Sequence, residues 1–386
     1  MAHPTGGPAG DQAALARATL LTAEGRALVA SLMPYDPADA ITRITAIRGD
    51  PRWAERPDVV AAAATQARLR TRAATRFPGP PRWWTPDGLE QATRPAVAAR
   101  HARRFQAAGI EVVADLGCGV GSDALAMAAA GLRVLAVDRD PEALWALAAT
   151  AVDQGLTITT SVGDVRTLPG PWTDPAAAPA GQLGCFVDPA RRSGGARTLA
   201  PESWSPPWSW VRSLAGTVPA TGAKVAPGID HRALPAGTQT EWISVGGDLV
   251  EAGVWWGPLR CGHATRTATV LAADGAEAVE RPAAESLDDL DGIPVPPTGP
   301  VAAWLVEPDP AVIRAGLVSV LAERVDCHLL DPRIAFITSD SRPDLRGLGA
   351  AFEVRDEVPF GRKPMRAWLR SHGYGDVVVK KRGVNI

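Results

Sequence analysis

Between residues 111 and 187, short apolar runs alternate with longer stretches whose apolar positions recur every three to four residues. This alternation predicts strands and helices in turn. Val112–Leu116 reads as a buried strand, Ser122–Ala130 as a helix closed by Gly131, and Arg133–Val137 as a second strand. Pro141–Gln154 reads as a second helix, with proline at the first position, where its missing N–H breaks no helical bond. Thr157–Val162, Leu183–Val187 and Ala223–Ala226 supply further strands. A strand–helix succession of this kind is the signature of a doubly wound α/β sheet. Glu241–Val245 and Val250–Trp256, joined across Gly246-Gly247-Asp248, predict a hairpin, and Thr265–Leu271 another strand.

The flanks follow other patterns. Residues 12–77 carry an alanine-rich helical period interrupted at Pro34, Pro37, Pro51 and Pro57, and a loop at residues 78–81 precedes a helix expected from Asp87 through Phe105. Residues 274–298, rich in Ala, Pro, Asp and Glu, predict a linker. Beyond it, Ala302–Glu307, Ile334–Ser339, Phe352–Val358 and Val377–Lys381 are expected as strands, with helices over Pro310–Arg324 and Lys363–His372. That order predicts a compact α+β domain of the ferredoxin-like kind. The expected division is therefore a helical N-terminal domain (1–105), an α/β domain with a Rossmann-like sheet (106–273), the linker (274–298) and a C-terminal α+β domain (299–386).

Composition narrows the possibilities. With 46% hydrophobic and 21% charged residues the chain has the balance of an ordinary globular protein. It contains no apolar run of about 18 residues, so no membrane span is expected, and its first residues lack the pattern of a signal peptide. Cys118, Cys185, Cys261 and Cys327 lie far apart, and Cys261-Gly262-His263 has no partner pair. Neither a metal site nor a disulfide framework is expected, and the expected compartment is the reducing cytoplasm.

The net charge of -2 conceals an asymmetry. Residues 1–104 carry 15 Lys+Arg against 9 Asp+Glu, residues 105–298 carry 12 against 22, and residues 299–386 carry 13 against 11. Nine arginines crowd residues 66–104, and seven basic residues against one acid occupy residues 362–382. Basic flanks around an acidic centre suit a polyanionic substrate; solvated helix faces are the plainer alternative.

The candidate chemistry lies at the strand ends of the α/β domain. A glycine-rich turn after the first strand lets backbone approach a nucleotide-like ligand, as it does in dehydrogenases. Here the spacing Gly117-x-Gly119-x-Gly121 lacks the extra residue of the dinucleotide fingerprint. Asp115, two residues earlier, would repel a pyrophosphate. It suits the zwitterionic methionine end and the positive sulfonium of S-adenosylmethionine. Asp138, ending the second strand, is placed to accept from ribose hydroxyls. Asp164, after the third strand, is placed to accept from an adenine amino group or else to cap its own turn.

The fourth strand runs into Asp188-Pro189-Ala190-Arg191-Arg192. Asp188 and the Pro189 carbonyl are candidate acceptors for the N–H groups of an exocyclic amine, and Arg191 and Arg192 candidates to grip a phosphate. Trp204, Trp208 and Trp210 are candidate stacking partners for a base, or core. Cys185 lies within a strand, and Lys224 is the only lysine before residue 363, which disfavours cysteine-nucleophile and lysine-based methylation chemistry.

At this point the chain resembles bacterial class I S-adenosylmethionine-dependent methyltransferases that carry a C-terminal THUMP-like domain. The resemblance rests on Glu90-Gln91-Ala92-Thr93, Asp115–Asp123, Asp188–Arg192, Ala226-Pro227-Gly228-Ile229-Asp230, Glu307-Pro308-Asp309-Pro310 and Lys380-Lys381-Arg382-Gly383-Val384. It implies a Rossmann-like catalytic domain with an appended ferredoxin-like domain. True THUMP domains bind RNA, so the resemblance points to an RNA substrate, with the basic N-terminal segment and Lys380, Lys381 and Arg382 on its phosphates. Methylation of a small molecule or a protein, and RNA binding without catalysis, are the competing readings. Binding to RNA that weakens steeply with salt separates the first from the second, and calorimetry showing no cofactor binding would remove the enzyme reading altogether.

Overall fold

The computed structural model describes residues 8–173, 181–190, 192–193, 196–197, 200–273, 284–289, 291–359 and 361–378. The chain divides into two compact units. One runs to Ala223 and includes Trp256–Leu259; the other comprises Lys224–Trp255 and the residues from Arg260 onward.

The first unit begins with helices α1 (Pro8–Leu20), α2 (Ala23–Ser31), α3 (Pro37–Arg48) and α4 (Pro57–Ala73). Prolines at the first helical position and capping side chains from Thr22 and Asp36 set their starts. The first three pack against α4, which buries Val59, Val60, Ala63, Ala67 and Leu69. The helix expected from Asp87 to Phe105 is two helices, α5 (Pro86–Gln91) and α6 (Pro95–Ala107). Pro95 forces the break, because the residue before a proline is driven out of the helical region; Arg94 has ψ 145°.

Then follow β1 (Val112–Leu116), α7 (Ser122–Ala129), β2 (Arg133–Asp138), α8 (Pro141–Asp153), β3 (Ile158–Val162), β4 (Leu183–Val187), the short pair β5 (Arg192–Ser193) and β6 (Ala196–Arg197), α9 (Trp208–Thr217) and β7 (Thr221–Val225). The principal strands are parallel and lie in the order β7-β4-β1-β2-β3. This is the doubly wound arrangement, whose strand order reverses between β1 and β4, where such sheets bind ligands. The register puts Leu116 opposite both Val137 and Val187, and Asp138 opposite Val162. Every acid singled out from the sequence therefore lies within two residues of the strand ends at one rim.

The N-terminal helices share a core with this sheet layer. Leu28, Val60 and Leu69 belong to one apolar cluster with Trp83, Trp84, Val120 of the glycine turn, and Ala143, Ala146 and Ala149 of α8. Trp83 is its pivot. Its backbone N–H donates to Thr150 Oγ1 at 2.9 Å and its indole N–H to Asp153 Oδ2 at 2.8 Å. The Arg70 guanidinium lies 4.2 Å above its ring.

That contact bears on the basic N-terminal segment. Burial pulls the Arg70 guanidinium down to about 10. Arg72 pairs with Glu90, Arg76 donates to the carbonyls of Glu90 and Ala92, Arg82 donates to Ser122, and buried Arg104 donates to Leu259 O at 2.8 Å. Arg70, Arg76, Arg82 and Arg104 are half-buried or buried and turned to partners within the fold, while Arg72 meets Glu90 at the surface.

The second unit contains β8 (Gln239–Val245) and β9 (Asp248–Trp255), an antiparallel hairpin whose two-residue turn is Gly246-Gly247. β10 (Arg266–Leu271) runs parallel to β8, and β11 (Ala284–Asp288) antiparallel to β10. Part of the expected linker is thus an edge strand. Leu287 is buried there while Ser286 is exposed, an alternation too short to stand out in an acidic, alanine-rich stretch.

A second sheet comprises β12 (Trp304–Pro308), β13 (His328–Leu329), β14 (Ile337–Ser339) and β15 (Gly349–Glu353), in the order β13-β14-β12-β15 with every pairing antiparallel. This is the strand order of a ferredoxin-like domain. The crossover between β12 and β13 is helical but broken at Gly316, giving α10 (Pro310–Ala315) and α11 (Val318–Arg324). Turns over residues 340–348 replace the second crossover helix. The strand expected over Phe352–Val358 is β15, ending at Glu353, and α12 (Arg362–Ser371) follows it. Of the strand expected over Val377–Lys381, Val377 and Val378 are exposed and outside any strand, and the rest lies outside the described residues.

Replacing Trp83 with alanine should cost about 3–5 kcal/mol, because it removes a fully buried ring, leaves Asp153 without the indole donor and takes the ring from under Arg70. Urea denaturation should show the midpoint fall with little change in slope.

Candidate active site at the carboxyl rim of the sheet

The glycine turn follows β1 because its backbone must fold back on two neighbouring strands at once. Gly117 N and Cys118 N both donate to Val137 O, at 2.8 and 3.1 Å, while Asp188 N donates to Leu116 O at 3.1 Å. Gly117 has φ +86°, and a Cβ there would lie 2.8 Å from the Asp188 carbonyl oxygen. The loop after β4 therefore rests directly on the turn, and any larger residue would push it away. Gly119 has φ +54°, and a Cβ there meets nothing within 4 Å, so the backbone is open on that side. Gly121 ends the turn as the N-cap of α7.

Asp138 locks this geometry. Its Oδ2 accepts from Gly119 N at 2.8 Å and its Oδ1 from Asp140 N at 2.9 Å. Asp140 in turn caps α8 by accepting from Glu142 N at 2.8 Å. Each Asp138 oxygen retains a further lone pair, so the carboxylate can hold the turn and still accept from a ligand hydroxyl.

Asp115 is buried in β1, between Ala136 and Phe186 in register. Burial raises the Cys118 thiol well above its usual range, and Asp115, Asp138 and Asp188 each raise it further. Three carboxylates thus act on one point of the turn. A field that penalises a thiolate there favours a cation. Together with the open backbone at Gly119, this set of acceptors fits a cationic ligand rich in hydroxyl and amine groups better than a pyrophosphate.

Asp164 behaves differently. Its Oδ1 accepts from Arg166 N at 3.0 Å, its oxygens take the Arg166 guanidinium at 2.7–3.2 Å, and Arg139 also pairs with it. Arg166, foremost, holds the carboxyl below its ordinary range. In this arrangement Asp164 caps its own turn, the second of the two roles expected for it. Arg139 further donates to Ser205 Oγ at 3.0 Å.

Asp188 is half-buried and Pro189 buried. The loop they begin is closed by a two-way backbone bridge between Ala190 and Ser205, at 2.8 and 3.0 Å. Trp204 and Trp208 are buried and meet edge to face at 6.1 Å, so they serve as core rather than as stacking surfaces; Trp210 is half-buried. Arg191 lies outside the described residues, as do Lys380, Lys381 and Arg382. The backbone of Arg192 pairs with Arg197 in β5 and β6.

The structure adds a cluster that sequence reasoning missed. Asp123, in the first turn of α7, accepts from Thr93 Oγ1 at 2.7 Å and pairs with His101 Nδ1 at 2.8 Å, all buried. His101 packs against Phe186 of β4 at 4.9 Å. The network ties the Glu90–Thr93 string to the helix that begins at the glycine turn. Its signal was legible: His101 sits between Val97 and Phe105 on the buried stripe of α6, a polar residue where an apolar one is expected.

A nucleotide-type α/β sheet with carboxylates converging on an open glycine turn defines a class of proteins that bind a cationic, nucleoside-containing cofactor. A methyltransferase-domain family model matches residues 113–192, a THUMP domain-like model residues 349–386, and a domain of unknown function residues 11–73. Two uncharacterized S-adenosylmethionine-dependent methyltransferases from two strains of Mycobacterium tuberculosis are 31% identical over 307 residues, 78% of this chain and 78% of each relative. A crystal structure from Porphyromonas gingivalis that carries a methyltransferase designation shares the fold. Its TM-score is 0.65 at 20% identity, covering 89% of this chain and 85% of that one. The chain belongs to the S-adenosylmethionine-dependent methyltransferases and carries a THUMP-like domain at its C-terminus.

Two outcomes follow. Asp138→Ala should weaken S-adenosylhomocysteine binding at least about tenfold by calorimetry, since it strips the acceptor from Gly119 N–H and Asp140 N–H together. Cys118, with its raised thiol, should be modified by a disulfide reagent at pH 8 roughly tenfold more slowly than exposed Cys261. Peptide mapping after alkylation distinguishes the two, and denaturation should release all 4 thiols.

Proposed function

We propose that the protein methylates RNA at a base amine. The cofactor is held by Asp115, Gly117, Gly119, Gly121 and Asp138, with Asp164 shaping the adenine end, and the acceptor is positioned by Asp188 and Pro189. The observation that supports this reading is the close approach of the Asp188 backbone to Gly117, by which the loop after β4 rests against the glycine turn.

S-adenosylmethionine, when bound, supplies an electrophilic methyl group on a good leaving group. The protein's contribution is then chiefly orientation and electrostatics. Asp188 and the Pro189 carbonyl accept the N–H groups of the acceptor, which turns the nitrogen lone pair toward the methyl carbon. Asp188, half-buried at the rim, is also placed to take the proton that nitrogen sheds as the new C–N bond forms. Asp115 sustains the negative field that favours the cationic ground state. The THUMP-like match at residues 349–386 supports RNA as the acceptor, as do the basic residues concentrated at 362–382.

Labelled methyl transfer to total RNA from a strain lacking the gene tests the reading. Wild-type protein should label RNA, and Asp188→Ala should reduce the rate by roughly 100-fold while binding S-adenosylhomocysteine normally. Equal labelling by both would remove Asp188 from the acceptor site. Labelling confined to protein or small molecules would remove RNA as the substrate.

A further inference from the structure

Acid–arginine pairing recurs across the described surface. Asp50 pairs with Arg52, Asp164 with Arg166, Asp230 with Arg232, Asp331 with Arg333, and Asp344 with Arg346. Helix α12 departs from this habit. Arg362, Lys363, Arg366 and Arg370 are all exposed, and none of them forms an ion pair among the described residues. No acid occurs between Glu357 and Asp376. Arg362, Arg366 and Arg370 recur every fourth residue, which places three cations along one side of the helix, ~6 Å apart.

Beside that stripe is a stack of rings. α12 ends in a Schellman motif: Gly373, at φ +74°, donates to Arg370 O at 3.3 Å, and Tyr374 N donates to Leu369 O at 3.0 Å. This closure folds Tyr374 back onto Trp368, with ring centroids 5.6 Å apart and planes 12° from parallel. His372 also stacks on Trp368, at 4.3 Å. The indole N–H of Trp368 donates to Asp356, which fixes the ring's orientation. Tyr374 remains 50% exposed, and no residue of α12 is buried.

We propose that α12 and Tyr374 form a stacking platform for single-stranded RNA. An unpaired base lies on the outer face of Tyr374 and continues the ring stack, while Arg362, Lys363, Arg366 and Arg370 hold the flanking phosphates. The inference rests on the RNA reading above and adds where and in what form the RNA is gripped. Flat, exposed rings beside uncompensated cations suit unpaired bases on a polyanionic strand, because a duplex keeps its base faces covered. A membrane-surface helix would instead present a broad apolar face; here that face is little more than Met365, Leu369 and the rings.

The test uses the full-length protein and a fluorescently labelled single-stranded oligoribonucleotide containing 2-aminopurine. Wild-type protein should bind it and change the 2-aminopurine emission. Tyr374→Ala should weaken binding roughly tenfold and abolish the emission change, with the salt dependence unaltered, whereas Tyr374→Phe should retain both. Arg366→Ala and Arg370→Ala should each flatten the log–log salt slope by about 0.7. Circular dichroism checks that the variants fold. Wild-type binding that Tyr374→Ala and Arg366→Ala leave unchanged overturns the platform and leaves RNA methylation standing. So does equal affinity for duplex RNA. Binding to anionic phospholipid vesicles with none to RNA overturns the platform and the RNA reading together.

Discussion

One carboxylate holds the site together. Asp138 ends β2, and its two oxygens accept from Gly119 in the turn and from Asp140 at the head of α8. Strand, turn and helix are thereby clamped at one point, at the position where the cofactor ribose is expected. The same clamp places a negative charge beside Asp115 and Asp188, an arrangement that repels itself and any anion. Such a rim is tolerable because the ligand it serves is a cation. Burial chiefly, and then the charges of Asp115, Asp138 and Asp188, push the Cys118 thiol up.

A second constraint acts from behind. Val120 of the turn belongs to the core built by the N-terminal helices, and the Thr93–Asp123–His101 network ties the segment before the sheet to the first turn of α7. The N-terminal helices are thus a buttress for the glycine turn. Arg70 over Trp83, Arg76 on two carbonyls and Arg104 on Leu259 O neutralise carbonyls and aromatic faces that would otherwise be poorly matched. A cluster of like charges in sequence became a set of separate internal contacts.

The basic residues near the C-terminus have the opposite fate. On α12 no acid intervenes between Glu357 and Asp376, the cations form no ion pairs among the described residues, and a glycine-closed helix end lays one aromatic ring on another beside them. Basic clustering in sequence thus leads to contacts with the fold at one end of the chain and to exposed cations at the other. What separates them is whether carbonyls, rings and carboxylates lie within reach, which only tertiary structure decides.

The sequence alone determined the strand succession, the glycine turn and the acids at successive strand ends, because these depend on local periodicity and on contacts between a strand and the loop that follows it. It also determined the β8–β9 hairpin, where Gly246-Gly247 states its own turn. It misread the helix from Asp87 to Phe105 by passing over Pro95, and it took a stretch containing β11 for a linker because a five-residue edge strand leaves little alternation in an acidic, alanine-rich stretch. Tertiary structure decided the rest. It turned Asp164 toward Arg166 and Arg139, buried Trp204 and Trp208, and brought Thr93, His101 and Asp123 together from three segments. These outcomes depend on which partners a charged or polar side chain meets across the fold, and no period along the chain encodes that meeting.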